Sequence, residues 1–408
     1  MSNKKNAIIA QSGGPTAAIN SSLAGVYKAS LNNENIDNIY GALNGIEGVI
    51  NSKIIDLKEK IKTDEDLKIL MQTPSSFLGS CRYKLPNFEK EPKIFDDIFE
   101  TFKKYNIGYF FYIGGNDSMD TVMKLSEHAE KIGSDIKIIG IPKTIDNDLK
   151  LTDHTPGYGT AAKYVATTIK EIARDNGVYD MPSVVIIEIM GRNAGWLTAS
   201  AALAKSDNTQ TPDLIYLPEV PFSIEKFIED VKNISKTKKQ IIVAVSEGVK
   251  TEDGKYLTES SDKKDTDGFA HSQLGGVGKR LEYAVKSNLG YKVRSIELSL
   301  LQRCSSHIAS LTDITEAFEL GVTAVNIATD GYTGKMVALK RTNNETYNIE
   351  YCMYDVNDVA NYEKEFPKDW INEEGNYVTE RYISYARPLI LGEVDTIFKD
   401  GVPVHLAI

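Results

Sequence analysis

Residues 142–148 are the segment of this sequence whose side chains are best suited to catalysis. The segment reads PKTIDND and follows an apolar run typical of a buried strand. Asp146 and Asp148 are two residues apart, with Lys143 and Thr144 just before them. A carboxylate here could accept a proton from a substrate hydroxyl while the nearby ammonium holds a phosphate. The alternative interpretation is a polar turn in which these side chains only form the turn or cap a helix.

Two glycine turns also lie between a predicted strand and a predicted helix. Their candidate phosphate-side residues are Gly13, Gly14, Gly115, Asn116, Asp117 and Ser118. Glycine lets backbone N–H groups approach a phosphate closely, and the helix that follows adds the positive end of its dipole. Each turn taken singly is equally typical of an ordinary strand-to-helix connection. Neither fits the P-loop or Rossmann fingerprint, which argues against P-loop kinases and ordinary dehydrogenases.

The elements that must position these turns alternate between short β-branched runs and amphipathic segments of helix length. Strands are predicted at residues 7–10, 109–113, 136–141, 183–189, 214–217, 241–245 and 293–298. Helices are predicted at residues 17–31, 93–105, 117–132, 160–175, 193–205, 224–234 and 269–288. The pattern predicts an α/β fold that is doubly wound with mostly parallel sheets. The polar stretch 252–267 is predicted to be an exposed loop.

Length and composition narrow the possible functions. A chain of 408 residues is too long for one compact core, so two domains are expected. A net charge of -10 argues against a nucleic-acid partner. Cys81, Cys304 and Cys352 form no CxxC pair, so we expect neither a disulfide framework nor a zinc site. We therefore expect a reducing, cytoplasmic location. The apolar runs are too short for a signal peptide or a membrane span.

The motifs taken together resemble the phosphofructokinase family through most of the chain. The matching segments are QSGGPTAAIN at 11–20, FLGSCR at 77–82, IGGNDS at 113–118, PKTIDND at 142–148, EIMGRNAGWL at 188–197, AVSEG at 244–248 and LQR at 301–303. The resemblance implies two Rossmann-like domains with the active site in the cleft between them. The donor domain would comprise residues 1–157 and about 303–350, and the fructose 6-phosphate domain residues 158–302 and about 351–408.

The resemblance also implies a role for each residue around the reacting phosphorus. Asp146 resembles the general base that deprotonates the sugar 1-hydroxyl, and Asp148 resembles its acidic partner. Thr144 is similar to the residue that contacts the transferring phosphoryl group. Arg82 resembles the arginine that neutralises the donor phosphates, and Arg192 the one that bridges donor and acceptor.

On the sugar side, the residues that the resemblance implies are Met190, Gly191, Glu247, Arg294, Arg303 and Arg387. Glu247 is similar to a carboxylate that binds a fructose hydroxyl. Arg294 and Arg303 resemble sugar-phosphate ligands, one of which the family often takes from a neighbouring subunit. Two positions depart from the family pattern, because Ser183 replaces a subunit-crossing arginine and Leu300 replaces a histidine or tyrosine.

Two further positions bear on the phosphoryl donor. ATP-dependent relatives have glycine at the positions of Asp117 and Lys143, and these glycines leave room for a nucleotide. An aspartate at the first position adds bulk and negative charge, and a lysine at the second offers a cation to a small diphosphate. The resemblance therefore implies pyrophosphate as donor; the alternatives are an ATP-dependent enzyme or a non-catalytic regulatory paralogue.

The resemblance implies a reversible reaction, Mg²⁺ as cofactor, and fructose 6-phosphate and pyrophosphate as small-molecule substrates. Asn116 is the candidate metal ligand, although many relatives have an aspartate there, so we expect the ion to rest mainly on pyrophosphate oxygens. A homodimer or homotetramer is expected, with weak or absent allosteric control. Sedoheptulose 7-phosphate stays open as a second acceptor.

Overall fold

A computed structural model of the chain describes residues 4–178, 180–206, 211–258, 275–343 and 346–408. The strands are β1 Lys5–Gln11, β2 Ile36–Ala42, β3 Ile54–Asp56, β4 Ile107–Gly114, β5 Lys137–Pro142, β6 Ser183–Ile189, β7 Leu214–Tyr216, β8 Gln240–Ser246, β9 Lys292–Glu297, β10 Lys335–Asn343, β11 Asn348–Asp355, β12 Phe398–Lys399 and β13 Val402–Pro403. The helices are α1 Ile19–Leu31, α2 Gly45–Ile50, α3 Asp64–Gln72, α4 Pro92–Lys104, α5 Asn116–Lys131, α6 Tyr158–Asn176, α7 Trp196–Ala199, α8 Ile224–Ser235, α9 Val277–Leu289, α10 Leu301–Cys304, α11 Leu311–Thr329 and α12 Glu380–Ala386.

These strands build two main sheets with helices between and around them. The larger sheet has the order β11-β10-β5-β4-β1-β2-β3, and the smaller one has the order β7-β8-β6-β9. Every pairing in the smaller sheet is parallel, and only the outer pairs β2–β3 and β10–β11 of the larger sheet are antiparallel. The predicted α/β fold with two mostly parallel, doubly wound sheets is therefore confirmed.

Two separate segments of the chain contribute strands to the larger sheet. After β9 completes the smaller sheet, α11 packs against α1, and β10 and β11 join the edge of the larger sheet beside β5. The last of these strands ends at Asp355, five residues beyond the predicted limit near residue 350. The division into domains at residues 157/158, 303 and 350/351 stays a prediction.

The topology brings the candidate turns to one edge. Strands β5, β4 and β1 are neighbours and run parallel, so the turns that follow them meet where their carboxyl ends meet. In the smaller sheet β6 and β8 are also parallel neighbours, and the turns after them carry Met190 and Glu247. Open α/β sheets bind ligands at this carboxyl edge.

Some elements differ from the sequence expectation. The helix predicted at residues 193–205 is two short pieces, α7 and a 3-10 helix at Ser200–Ala204. The helix predicted at 269–288 is seen as α9, and residues 269–274 lie outside the described part of the chain. Of the loop predicted at 252–267, residues 252–258 form turns, and the remainder is likewise outside it.

The glycine turn after β1 depends on a close contact between α1 and α11. A Cβ added to Gly25 would lie 1.9 Å from the carbonyl oxygen of Phe318, and one added to Gly321 would lie 2.3 Å from that of Ser22. Only glycine permits this approach of two backbones. Because α1 begins just after the turn, the contact between the two helices restrains the position of that turn.

We expect Gly25→Ala to lower the free energy of unfolding by about 1–3 kcal/mol, because the added methyl group must push the two helices apart. Urea unfolding measures the change. Gly177→Ala is the matched control, since Gly177 is exposed with a φ of -76° and its nearest backbone oxygen would be 3.3 Å from the new Cβ. The control should change stability by less than about 0.5 kcal/mol. Equal losses in both variants would contradict the packing argument.

Candidate active site

A polar cavity of about 750 Å³ opens across the carboxyl edges of the two sheets. The predicted residues that line it are Gly13, Gly14, Arg82, Gly115, Asn116, Asp117, Ser118, Lys143, Thr144, Asp146, Asp148, Met190, Arg192, Glu247 and Arg303. The structure thus brings together candidates from both sheets that are up to 290 positions apart in sequence (303 minus 13). No single motif would predict that convergence.

The turn after β5 contributes Thr144, Ile145, Asp146 and Asp148 to the lining of the cavity. Thr144, Asp146 and Asp148 are partly exposed, whereas Ile145 and Asn147 between them are buried. Thr144 Oγ1 donates a hydrogen bond to Asp146 Oδ2 at 3.1 Å and accepts one from the Asp146 backbone N–H at 3.1 Å. The two carboxylates therefore face the same space, and a local hydrogen bond orients Asp146.

Asn147 holds this turn from behind. Its φ of 54° is left-handed, a conformation that asparagine tolerates better than most residues. Its Oδ1 accepts a hydrogen bond from the Thr155 backbone N–H at 3.1 Å, and its Nδ2 donates one to the Tyr385 hydroxyl at 3.0 Å. A purely structural interpretation of the turn therefore fits Asn147, but not the two carboxylates that flank it.

Lys143 lies under the first glycine turn. Its Nζ donates a hydrogen bond to the Gly14 carbonyl oxygen at 2.7 Å, and the side chain is buried. A Cβ at Gly13, whose φ is 78°, would lie 3.2 Å from the same nitrogen. Burial lowers the pKa of Lys143 to about 7; Asp146 opposes this shift and Arg82 adds to it. An anion bound in the cavity would favour the charged ammonium.

Three arginines supply further positive charge. Arg303 extends toward the first glycine turn, since a Cβ at Gly14 would lie 3.5 Å from its Nη1. Partial burial and the nearby Arg82 lower the pKa of Arg303. Among the described residues, the buried Nε of Arg192 has no hydrogen-bond partner. Clustered guanidinium groups of this kind suit bidentate binding of phosphate oxygens.

Three carboxyl groups of the cavity, those of Asp146, Asp148 and Glu247, have a raised pKa. Burial, followed by the charges of Asp146 and Glu363, raises the pKa of Asp148 to about 7. Burial and the charge of Asp146 raise the pKa of Glu247 to about 7, although the Gly191 backbone N–H donates to it at 3.4 Å. Burial also raises the pKa of Asp146. Raised carboxyl pKa values in a cleft are typical of general bases.

The second glycine turn is engaged differently. Asn116 Nδ2 donates to the Tyr362 carbonyl oxygen at 2.7 Å, and its Oδ1 accepts from the Asn361 backbone N–H at 2.6 Å. Asp117, the next residue, lies 3.8 Å from the ammonium of Lys84. The described residues contain no cluster of three or more His, Cys, Asp or Glu side chains that could hold a metal ion. The structure therefore does not present Asn116 as a free metal ligand.

Two predicted sugar-phosphate ligands lie outside the cavity in this single chain. Arg294 is exposed on β9, the edge strand of the smaller sheet, and lines a second cavity of about 340 Å³ together with Ser183. Arg387 donates from Nη1 to the Leu203 carbonyl oxygen at 2.8 Å, so it ties α12 to the protein interior. The structure does not bring Arg387 into this cavity, and the expectation that it binds substrate stays a prediction.

Residues 361–365 form a segment of the cavity wall that the sequence did not predict. Its members Asn361, Tyr362, Glu363 and Glu365 line the cavity. The segment reads NYEKE, a charged run that would usually indicate a solvated surface. Its role depends on tertiary contacts with turns more than 200 residues earlier, so no local pattern could have indicated it.

The fold agrees with that of known proteins. The phosphofructokinase family model matches residues 6–328. The chain belongs to the phosphofructokinase family.

The chain is similar to the pyrophosphate–fructose 6-phosphate 1-phosphotransferase of Halomonas elongata, with 40% identity covering 98% of this chain and 94% of that protein. The enzyme of the same name from Methylococcus capsulatus is 37% identical over 99% of this chain and 96% of its own length. The crystal structure of a pyrophosphate-dependent phosphofructokinase from Nitrosospira multiformis superposes with a TM-score of 0.88 at 38% identity, covering 98% of this chain and 95% of that one.

In the part of the chain that the structure describes, no helix has the length and apolar character needed to cross a membrane.

The raised pKa of Glu247 predicts a pH-dependent cost to stability. Its ordinary pKa of 4.5 rises to about 7 on folding, so the penalty is absent below about pH 4.5, grows as the pH rises, and is complete above about pH 7. Glu247→Gln should therefore raise the free energy of unfolding by about 1–3 kcal/mol at pH 8 and by less than half as much at pH 5.

Urea unfolding at the two pH values measures this difference. Glu373→Gln is the control, because Glu373 is exposed outside the cavity and should give no pH-dependent gain. If Glu247→Gln destabilised the protein equally at both pH values, the prediction would be wrong, because burial would then impose no penalty on the ionised carboxyl group.

Proposed function

We propose that this chain transfers a phosphoryl group from pyrophosphate to the 1-hydroxyl of fructose 6-phosphate, giving fructose 1,6-bisphosphate and phosphate in a reversible reaction. The observation that carries the proposal is the buried Lys143 beneath the first glycine turn, with Asp146 and Asp148 facing the same cavity. The relatives that match nearly the whole chain carry the same activity in their names.

In the proposed mechanism, Asp146 accepts the proton of the 1-hydroxyl as that oxygen attacks the nearer phosphorus of pyrophosphate. The bond from this phosphorus to the bridging oxygen breaks, and phosphate leaves. The raised pKa of Asp146 makes it a stronger base than an ordinary carboxylate. Burial keeps that pKa high, and the charge of Asp146 in turn raises the pKa of Asp148. We assign Thr144, which holds Asp146 by a hydrogen bond, to contact with the transferring group.

The cations of the cavity would stabilise the charge that spreads over the phosphate oxygens. Phosphoryl transfer depends mainly on such positioning and electrostatic stabilisation. We assign Lys143 and Arg82 to the donor phosphates, together with the backbone of the two glycine turns and Ser118. Arg192 is assigned to the space between donor and acceptor, which its unpaired buried Nε supports.

Pyrophosphate rather than ATP is favoured by the two side chains at the donor end. Lys143 fills space under the first glycine turn, and Asp117 adds a carboxylate beside the second. A nucleotide would have to place its α-phosphate near that negative charge, at a cost in both sterics and Coulomb energy. A diphosphate needs no such space.

Magnesium fits this site only as an ion that arrives with the substrate. Both ends of the Asn116 amide are already hydrogen-bonded, and the described residues contain no group of three or more His, Cys, Asp or Glu side chains that could hold a metal ion. Mg²⁺ commonly binds through substrate phosphates with few protein ligands. When bound, it would neutralise charge on the pyrophosphate oxygens.

On the sugar side we assign Glu247 to a fructose hydroxyl, Arg303 to the 6-phosphate, and Met190 to the wall of the sugar pocket. Gly191 would act through its backbone N–H, which donates to Glu247. Arg294 cannot contribute from within one chain, because it lines the separate cavity on β9. We therefore propose a homodimer or homotetramer in which Arg294 of a second copy reaches the 6-phosphate. Three unbridged cysteines support a cytoplasmic location.

The proposal is tested by comparing donors on purified protein at matched magnesium concentration. Wild type should turn over faster with pyrophosphate than with ATP, and Asp117→Gly combined with Lys143→Gly should raise the ATP-to-pyrophosphate activity ratio by at least about tenfold. Asp180→Gly with Lys239→Gly is a matched control, since it removes the same residue types from an exposed ion pair. Faster turnover of wild type with ATP would contradict the donor assignment.

A further inference from the structure

Residues 361–365, which we call the strap, connect the two halves of the cavity. At one end, Asn116 of the donor-side turn binds the strap through both ends of its amide. Further along, Glu363 pairs with Leu149 in an isolated β-bridge and accepts a hydrogen bond from Asn193 Nδ2 at 3.1 Å. The strap therefore contacts the donor turn, the Asp146–Asp148 turn and the turn after β6.

Lys364 makes the contacts at the centre of the strap. Its backbone N–H donates to the Asp148 carbonyl oxygen at 2.7 Å, and its own carbonyl oxygen accepts from Trp196 Nε1 at 3.0 Å. Its Nζ donates to Asn147 Oδ1 at 3.1 Å and to the Asp153 carbonyl oxygen at 2.9 Å. The ammonium also lies 4.9 Å from the centre of the Trp196 ring, within range of a cation–π contact.

Some of these hydrogen bonds hold Asn147, the residue between Asp146 and Asp148. Asn147 has a left-handed backbone, and its side chain receives hydrogen bonds from Lys364 and Thr155 and donates one to Tyr385. Lys364 thus binds the turn at the side chain of one residue and the backbone of the next. Burial lowers the pKa of Lys364 to about 8, and the charges of Asp153 and Asp148 oppose this shift. Because the pKa stays above 7, most of the ammonium keeps its charge at neutral pH.

We propose that Lys364 is a positioning residue, which acts through Asn147 to fix the angle at which Asp146 and Asp148 enter the cavity. This inference rests on the proposed function, because it concerns the geometry of the proposed base. Lys364 itself does not line the cavity, so it need not touch either substrate. A displacement of about 1 Å at a reacting group can cost about a hundredfold in rate, while binding contacts elsewhere survive.

The test compares Lys364→Met with wild type in steady-state kinetics. Methionine keeps the apolar stem against Trp196 but removes the donor. We expect kcat to fall by about 10- to 100-fold while KM for fructose 6-phosphate and for pyrophosphate changes by less than about threefold. Lys368 is an exposed lysine four residues further along the chain; Lys368→Met is the control and should leave both parameters unchanged.

A double-mutant cycle separates positioning from a general structural role. Asn147→Gly permits the left-handed backbone but removes the amide that Lys364 binds. If Lys364 acts through Asn147, the double variant should lose little more kcat than the more impaired single variant. Losses that multiply would overturn the proposal, and so would an unchanged kcat in Lys364→Met.

Folding of each variant is checked by circular dichroism and thermal unfolding. If Lys364→Met does not fold, Lys364→Gln keeps a shorter donor and should show an intermediate kcat; failure of both to fold would show a structural residue and overturn the assignment. Wild type is assayed alongside. The activity of wild type with pyrophosphate tests the proposed function. The ratio of variant to wild-type kcat tests only the role of Lys364, and it can be measured with either donor.

Discussion

Carboxylates, arginines and a buried lysine lie close together in one cavity, and the surrounding fold must hold these charged groups in place. Asp146 and Asp148 lie near Lys143, Arg82 and Arg303, yet burial still raises the pKa of the carboxylates and lowers that of the lysine. Burial therefore disfavours the charged forms of these three groups in the free protein. A charged substrate would add its own charge to this set, and groups already in position stabilise a transition state without further reorganisation.

Keeping such groups in place requires a rigid surrounding. The turns that carry them follow neighbouring parallel strands, so the register of β1, β4 and β5 sets their spacing. Close packing of α1 on α11 through Gly25 and Gly321 fixes the first turn, and the left-handed Asn147 fixes the turn after β5. The strap of residues 361–365 then joins both turns to the smaller sheet. Strand register, helix packing and the hydrogen bonds of the strap together hold the cavity in shape.

Much of this arrangement could be predicted from the sequence because it is encoded locally. Continuous apolar runs such as β6 indicate buried parallel strands, and the motif at residues 142–148 identified the carboxylates that line the cavity. Local patterns were weaker for half-exposed elements. β2 mixes buried and exposed residues, and the β10–β11 hairpin lies at a sheet edge, so neither was predicted. Arg387 looked available as a cation, but only the structure shows its bond to Leu203. The strap could not be found because its contacts are long-range.

The most direct test of the central claim is the kinetic effect of Asp146→Asn, which keeps the shape of the side chain but removes its ability to accept a proton. With pyrophosphate and fructose 6-phosphate, kcat should fall by about 10²- to 10⁴-fold, while KM for the sugar stays within about fivefold of wild type. A loss of less than about tenfold would contradict the account, because the carboxylate at position 146 would then not be the base.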